Sequence, residues 1–122
     1  MSYDLVLDVF EWNLKRGLLS DNIDVDLEYT MLLEELEELK VADNKVDVAD
    51  ALADIIWVAV GSLSKLTKSY NKVESIMQAV AAANWTKGTD TDNGKITKPV
   101  NFVGPEEMIE KILEEPKGLF DE

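Results

Sequence analysis

Between Ala51 and Val60 the chain reads Ala-Leu-Ala-Asp-Ile-Ile-Trp-Val-Ala-Val, apolar on every side of a helix except at Asp54. A helix apolar on most sides is a central, buried one, so the rest of the chain must supply elements to surround it. A carboxylate inside such a helix is costly unless it is paired or bound to metal. No cation stands one turn from Asp54 on either side. Asp47, Asp50 and Asp54 project within roughly 60° of one another at helical spacing, so the helix carries a narrow acidic stripe within its apolar body.

The flanking sequence keeps helical periodicity. A first helix is expected over about 2–16, with Ser2 as cap, Leu5, Val9, Trp12 and Leu14 along it, and Gly17 at its end. A second covers about 24–42, capped by Asp24, with Leu27, Met31, Leu32, Leu36 and Leu39 as its apolar stripe. The central helix runs over about 44–68 from Asn44. A fourth covers about 71–85, where Asn71 and Glu74 form a capping-box pattern and Ile76, Met77, Val80 and Ala83 give the inner face. In the extension 86–122, Asn93-Gly94 signals a hairpin turn, Gly104-Pro105 opens a short last helix, and Pro116 to Glu122 is expected to fray. At 122 residues the chain has the size of one domain with a real core. The short connection between the second and third helices makes them antiparallel neighbours. The expectation is a single all-α domain, an antiparallel four-helix bundle with a C-terminal hairpin and a short final helix.

Missing residue types narrow the chemistry. Without cysteine there are no disulfides, thiol nucleophiles or cysteine zinc sites, and without histidine there is no Ser-His or Cys-His dyad. A formal net charge of −13 repels phosphate backbones and anionic bilayers, so neither a nucleic acid polymer nor a membrane is an expected partner. Met1-Ser2-Tyr3-Asp4 has neither the basic nor the apolar region of a signal peptide, and the longest apolar run is too short to span a bilayer. A cytoplasmic location is the default.

On the second helix, Glu34, Glu35 and Glu38 fall within an arc of roughly 100°, and Glu37 lies off it. Taken alone, Glu34-Glu35-Leu36-Glu37-Glu38 reads as a solvated face, and Asp47 and Asp50 as first-turn residues favoured by the helix dipole. Asp54 resists that account. Carboxylates converging from two adjacent helices repel unless divalent cations sit between them, and hard cations such as Mg²⁺ take carboxylate and phosphate oxygens.

Glu34-Glu35-x-x-Glu38, followed after a dozen residues by an acidic pattern ending Asp54-Ile55-Ile56-Trp57, resembles the all-alpha nucleotide pyrophosphohydrolases. That superfamily includes MazG-like proteins, dimeric dUTPases and phosphoribosyl-ATP pyrophosphatases. The likeness covers roughly Asp24 to Lys68. It extends loosely to Asn84-Trp85-Thr86-Lys87-Gly88 and Gly94-Lys95-Ile96-Thr97-Lys98-Pro99, which look like elements of a phage-type branch. One departure stands out: Ala51 occupies the position of a family glutamate, and Asp50 or Asp47 would replace it.

The resemblance implies a MazG-like fold and cleavage of a nucleoside triphosphate, NTP or dNTP, between its α and β phosphates, dependent on Mg²⁺ with Mn²⁺ as the alternative. Glu35, Glu38 and Asp54 are the best ligand candidates, with Asp50 and Asp47 beside them. Glu34 is a ligand or the base that positions the water, a task left to a carboxylate in a chain without histidine. Lys87, Lys95 and Lys98 would hold phosphates, with Asn84 and Trp85 also at the substrate. Trp57 or Trp85 could stack on a base, though core packing is the simpler role for Trp57; Trp12 is assigned to packing. A homodimer or homotetramer is implied as well.

Other readings are weaker. If Gly94 took the sixth position of a calcium loop, positions one, three and twelve would be Thr89, Thr91 and Val100. A di-iron bundle needs Glu-x-x-His pairs. The rivals are a non-catalytic acidic helical interaction protein and a degenerate family member that binds nucleotides without cleaving them.

Overall fold

The computed structural model describes residues 2–116, so the expected fraying of Pro116 to Glu122 lies, past Pro116, outside the described residues. The chain is mostly helical: α1 Leu5–Lys15, α2 Val25–Val41, α3 Lys45–Thr67, α4 Tyr70–Trp85, a hairpin of β1 Thr91–Asp92 and β2 Lys95–Ile96, then α5 Glu106–Glu114. The all-α helical class expected from the sequence is the one found. Two compact units divide the chain, the first ending at Tyr70 and the second beginning at Asn71. Among the described residues no helix is long and apolar enough to cross a membrane.

In the first unit, α3 packs against both α1 and α2. Caps set the starts of these helices. Asp4, not Ser2, caps α1: its carboxylate accepts the Leu7 N–H at 3.0 Å, leaving Ser2 outside the helix. Asp24 caps α2 as expected, accepting from Leu27 N–H at 3.2 Å. Asn44 caps α3 by accepting the Asp47 N–H at 2.9 Å, and its own amide donates to the Asp47 carboxylate at 2.8 Å. Such caps each contribute roughly 1 kcal/mol.

Val9, Phe10, Leu19, Ala51 and Val60 are buried. α1 and α3 approach closely at Gly61, where an added Cβ would stand 3.2 Å from the Asn13 amide nitrogen. Lys68 adopts a left-handed conformation (φ 54°) at the end of α3. Its ammonium donates to the Leu19 carbonyl at 2.7 Å and to the Asp21 carbonyl, pinning the α1–α2 loop. Phe10 meets the Tyr70 ring edge-on, and the Tyr70 hydroxyl donates to Asp4 at 2.6 Å.

Two expectations about burial need correction. The central helix is not enclosed on all sides, since Leu52 is 46% and Ile56 49% exposed. The expected stripe of α2 is also largely open at Leu27 and Leu36, and Glu28 is that helix's one buried residue. One α2 neighbour and one α1 neighbour cover only part of the α3 circumference, so apolar side chains on the remaining arc face outward.

In the second unit, α4 starts at Tyr70, placing Asn71 inside the first turn and not at the cap. Val73 and Ile76 are buried, whereas Met77, expected inside, is exposed. The Lys72 ammonium donates to the carbonyls of Leu113, at 3.3 Å, and Glu115, tying α4 to the end of α5. The hairpin forms where expected, with Asn93 and Gly94 both at positive φ (52° and 80°), as a type I′ turn requires. Thr91 pairs with Ile96 and Asp92 with Lys95. Pro105 occupies the N-cap of α5, and Ile112 is buried.

Candidate active site

Glu35 and Glu38 stand one turn apart on α2, and α3 brings Asp54 to them. One carboxylate oxygen from each lies within 4.8 Å of the other two. Glu35 and Asp54 are half-buried and Glu38 is exposed, so the group is closed on the helix side and open on the other.

Glu35 carries the clearest electrostatic signature. Its Oε2 is shielded from solvent and has no hydrogen-bond partner. Burial pushes its carboxyl above the usual carboxylate range, assisted by the neighbouring Glu38 carboxyl and by the negative charges of Asp54 and Asp50. An orphaned carboxylate oxygen amid like charges is the environment a cation relieves. The donor set is all oxygen, which suits a hard divalent ion, so the residues present fit such a metal.

The other acidic candidates are placed differently. Asp50 lies near enough for its charge to act on Glu35, but it is not one of the three clustered residues. Asp47 is engaged with Asn44 in the α3 cap. With Glu38, Val41, Ala42 and Ala51, these two aspartates line a cleft of about 250 Å³ that meets the cluster at Glu38. Ala51 is itself buried, so the family glutamate position is filled here by a packed methyl. Glu34 is exposed and outside the cluster.

In the second unit, Lys87 and Lys98 both stand over the Phe102 ring, at 5.3 and 5.4 Å from its centroid. Lys95 lies on β2 opposite Asp92. Asn84 is exposed, and its carbonyl accepts the Lys87 N–H at 3.1 Å. Trp85 ends α4 and is 87% exposed.

Sequence reading missed Glu28, Ser62 and Lys65. Glu28, 5% exposed, accepts the Ser62 hydroxyl at 2.8 Å and the Lys65 ammonium on both oxygens at 3.1 and 3.0 Å. A signal was present. An antiparallel register that sets Glu35 beside Asp54 also sets residue 28, two turns back, beside residue 62, two turns on.

An all-α unit whose adjacent helices converge carboxylates on one point fits the nucleotide pyrophosphohydrolases that the sequence resembles. The family model for phosphoribosyl-ATP pyrophosphohydrolase matches residues 17–84, more than half of the chain, and the chain belongs to that family. It is therefore a hydrolase acting on phosphoanhydride bonds, with the general activity of a nucleotide pyrophosphatase. The matched span contains every acidic candidate and Asn84, and leaves Trp85 and the three lysines outside it. Comparison with curated proteins finds no match to this chain.

Proposed function

We propose that this protein cleaves the α–β phosphoanhydride bond of a nucleoside triphosphate, NTP or dNTP, releasing a nucleoside monophosphate and pyrophosphate in a Mg²⁺-dependent reaction. The observation that carries this reading is the convergence of Glu35, Glu38 and Asp54, one of which, Glu35, has a buried oxygen without a hydrogen-bond partner. Glu35, Glu38 and Asp54 are the proposed ligands, with Asp50 the nearest candidate for a fourth and Asp47 beyond it. Mn²⁺ would suit the same oxygens.

A divalent ion held there supplies charge neutralisation for the phosphates and a lowered pKa for bound water. The protein's own part is to fix the ligands on two rigid helices and to exclude bulk water from the α2–α3 side. In a chain without histidine, an acidic side chain takes the water's proton, and Glu34, next to the cluster in sequence, is the candidate. The water oxygen bonds to one phosphorus while the bridging oxygen departs on the other. Lys87, Lys95 and Lys98 are proposed to bind anionic phosphate, with Asn84 and Trp85 as further substrate contacts. We further propose that residues 1–122 act as one cytoplasmic domain. A homodimer or homotetramer is proposed too, because the exposed Leu33, Leu36, Leu52 and Ile56 give α2 and α3 apolar surface to cover.

A second reading follows from the family match: phosphoribosyl-ATP, an adenosine triphosphate with an added phosphoribosyl group, as the substrate. One assay separates the two. Purified protein is given Mg²⁺ with each NTP, each dNTP and phosphoribosyl-ATP, and pyrophosphate and phosphate are measured separately. Pyrophosphate release that stops with EDTA supports the proposal and names the substrate. Phosphate release alone places the cleavage at another bond and defeats it. No release from any compound leaves the degenerate binder or the acidic interaction protein.

A further inference from the structure

A lysine stem lying along an aromatic ring is an ordinary way to cover apolar surface. Phe102 carries two lysines. The Lys87 and Lys98 ammoniums stand over its ring at 5.3 and 5.4 Å from the centroid, inside the range at which the negative face of a ring attracts a cation. With neither farther than 5.4 Å from the centroid, the two ammoniums lie within about 11 Å of each other.

Backbone hydrogen bonds tie three segments of the second unit so that they meet at this ring. Lys87 follows α4 by two residues, and its N–H donates to the Asn84 carbonyl at 3.1 Å, closing the turn that ends the helix. The Thr86 hydroxyl reinforces that turn through the Ala83 carbonyl at 2.7 Å. Thr97 N–H donates to the Asp90 carbonyl at 2.9 Å, which extends the hairpin to the residue before Lys98. Phe102 N–H donates to the Pro99 carbonyl at 3.0 Å, a turn that folds the chain back and returns the ring to Lys98. Phe102 and Lys87 are half-buried, and Lys98 is exposed.

Like charges gathered on one ring repel, and the chain has counter-charges in excess, with 25 acidic residues to 12 basic. Yet among the described residues neither ammonium makes an ion pair or a hydrogen bond. The treatment of Lys65 is the contrast, since Glu28 neutralises it. A ring attracts a cation without cancelling its charge, so the pair on Phe102 stays available to an anion. A lysine gives up rotamer freedom when it binds, and the ring imposes part of that order beforehand. An anion charged at two ends, such as pyrophosphate or the phosphate chain of a nucleotide, suits two ammoniums held in this way.

We propose that Phe102 is a positioning residue that holds Lys87 and Lys98 together as one phosphate-binding pair. This rests on the proposed function, which gives the phosphates to the lysines, and it adds the residue that organises them. Lys95, set opposite Asp92 by the hairpin, is not part of the pair. Phe102 and both of its lysines lie beyond the span matched by the family model.

The test uses the full chain in EDTA with inorganic pyrophosphate as the probe, so that it depends on neither metal nor hydrolysis. Side-chain NMR signals of the Lys87 and Lys98 ε-methylenes and of the Phe102 ring are followed through the titration, with sodium chloride at matched ionic strength as the control. The expected result is that pyrophosphate shifts all three signals and chloride none. Phe102→Leu should weaken the binding about tenfold, because the anion itself must then order two lysines. Phe102→Tyr keeps the ring face and should bind like wild type, a rescue specific to the aromatic ring. Lysine signals unmoved by pyrophosphate, or moved equally by chloride, would overturn the pair even if Phe102→Leu failed to fold. So would Phe102→Leu binding as tightly as wild type, or Phe102→Tyr binding as weakly as Phe102→Leu. Pyrophosphate release from nucleotides tests the reaction separately: the expected shifts in a chain that releases none would uphold the pair and defeat the proposed reaction.

Discussion

Glu28 of α2 receives the Lys65 ammonium of α3 on both carboxylate oxygens, two turns from the point where Glu35 and Asp54 converge on the same pair of helices. The two ends of the α2–α3 interface are therefore held differently. One is a closed, neutralised pair joined by Ser62, and the other is an open group of like charges. Removing one partner of a buried pair leaves the other uncompensated, at a cost of about 3–5 kcal/mol. Glu28→Ala and Lys65→Ala are each expected to lower stability by that order. The double change is expected to cost less than the sum of the two, as urea denaturation of the three variants would show.

The raised Glu35 carboxyl gives the metal-free protein an unusual pH dependence. A group whose folded pKa lies above its unfolded value stabilises the fold fully below the unfolded pKa, and that stability is lost as pH rises through the folded pKa. Taking metal-free protein down from neutral pH through the Glu35 transition should therefore raise its thermal midpoint. Asp4 acts in the opposite sense. The Tyr70 hydroxyl and then the Leu7 N–H hold its carboxyl low, so its contribution falls away as pH falls through its folded pKa. Comparing wild type with Glu35→Gln isolates the Glu35 part. If the two melting profiles run parallel between neutral and mildly acidic pH, the assigned electrostatics are wrong.

Much of this arrangement was legible in the residues. Asp24, Asn44, Gly17 and Asn93-Gly94 mark ends and turns through local chemistry that needs no tertiary partner, and three of the site carboxylates follow from helical spacing plus the anomaly of Asp54. The reading failed where a partner decides the outcome. Ser2 and Asp4 are both competent caps, and Asp4 gains the further bond from Tyr70, sixty-six residues away. Leu52 and Ile56 look like core because they are apolar, but burial depends on how many neighbours arrive. Glu28 looks like a surface charge until Lys65 is set opposite it.

Gly61→Ala should reveal how tightly α1 and α3 are fitted. In a helix interior alanine is favoured over glycine by about 1 kcal/mol. Here the new methyl would lie 3.2 Å from the Asn13 amide nitrogen, which its bond to the Val9 carbonyl holds in place. The contact is expected to outweigh the propensity gain, giving a net loss of about 1 kcal/mol. Asn13→Ala should then be less damaging in the Gly61→Ala background than alone, and chemical denaturation of the four-member cycle gives that coupling directly.

Asp54→Asn separates catalysis from folding most sharply. The change keeps volume and removes one of three like charges around the unpartnered Glu35 oxygen. In metal-free protein the Glu35 carboxyl should move back toward its ordinary range and the fold should become no less stable at neutral pH. Addition of Mg²⁺ should stabilise wild type by the usual binding linkage, about 2.7 kcal/mol at a hundred times the dissociation constant, and should leave the variant's thermal midpoint unchanged. Metal catalysis supplies several kcal/mol, and each 1.4 is tenfold, so pyrophosphate release should fall by at least about a thousandfold. Loss of activity together with loss of fold would mean that Asp54 is a structural residue. A stable variant that retains both the Mg²⁺ shift and the activity would move the metal site elsewhere, with the cleft lined by Glu38, Asp47 and Asp50 the next place to look.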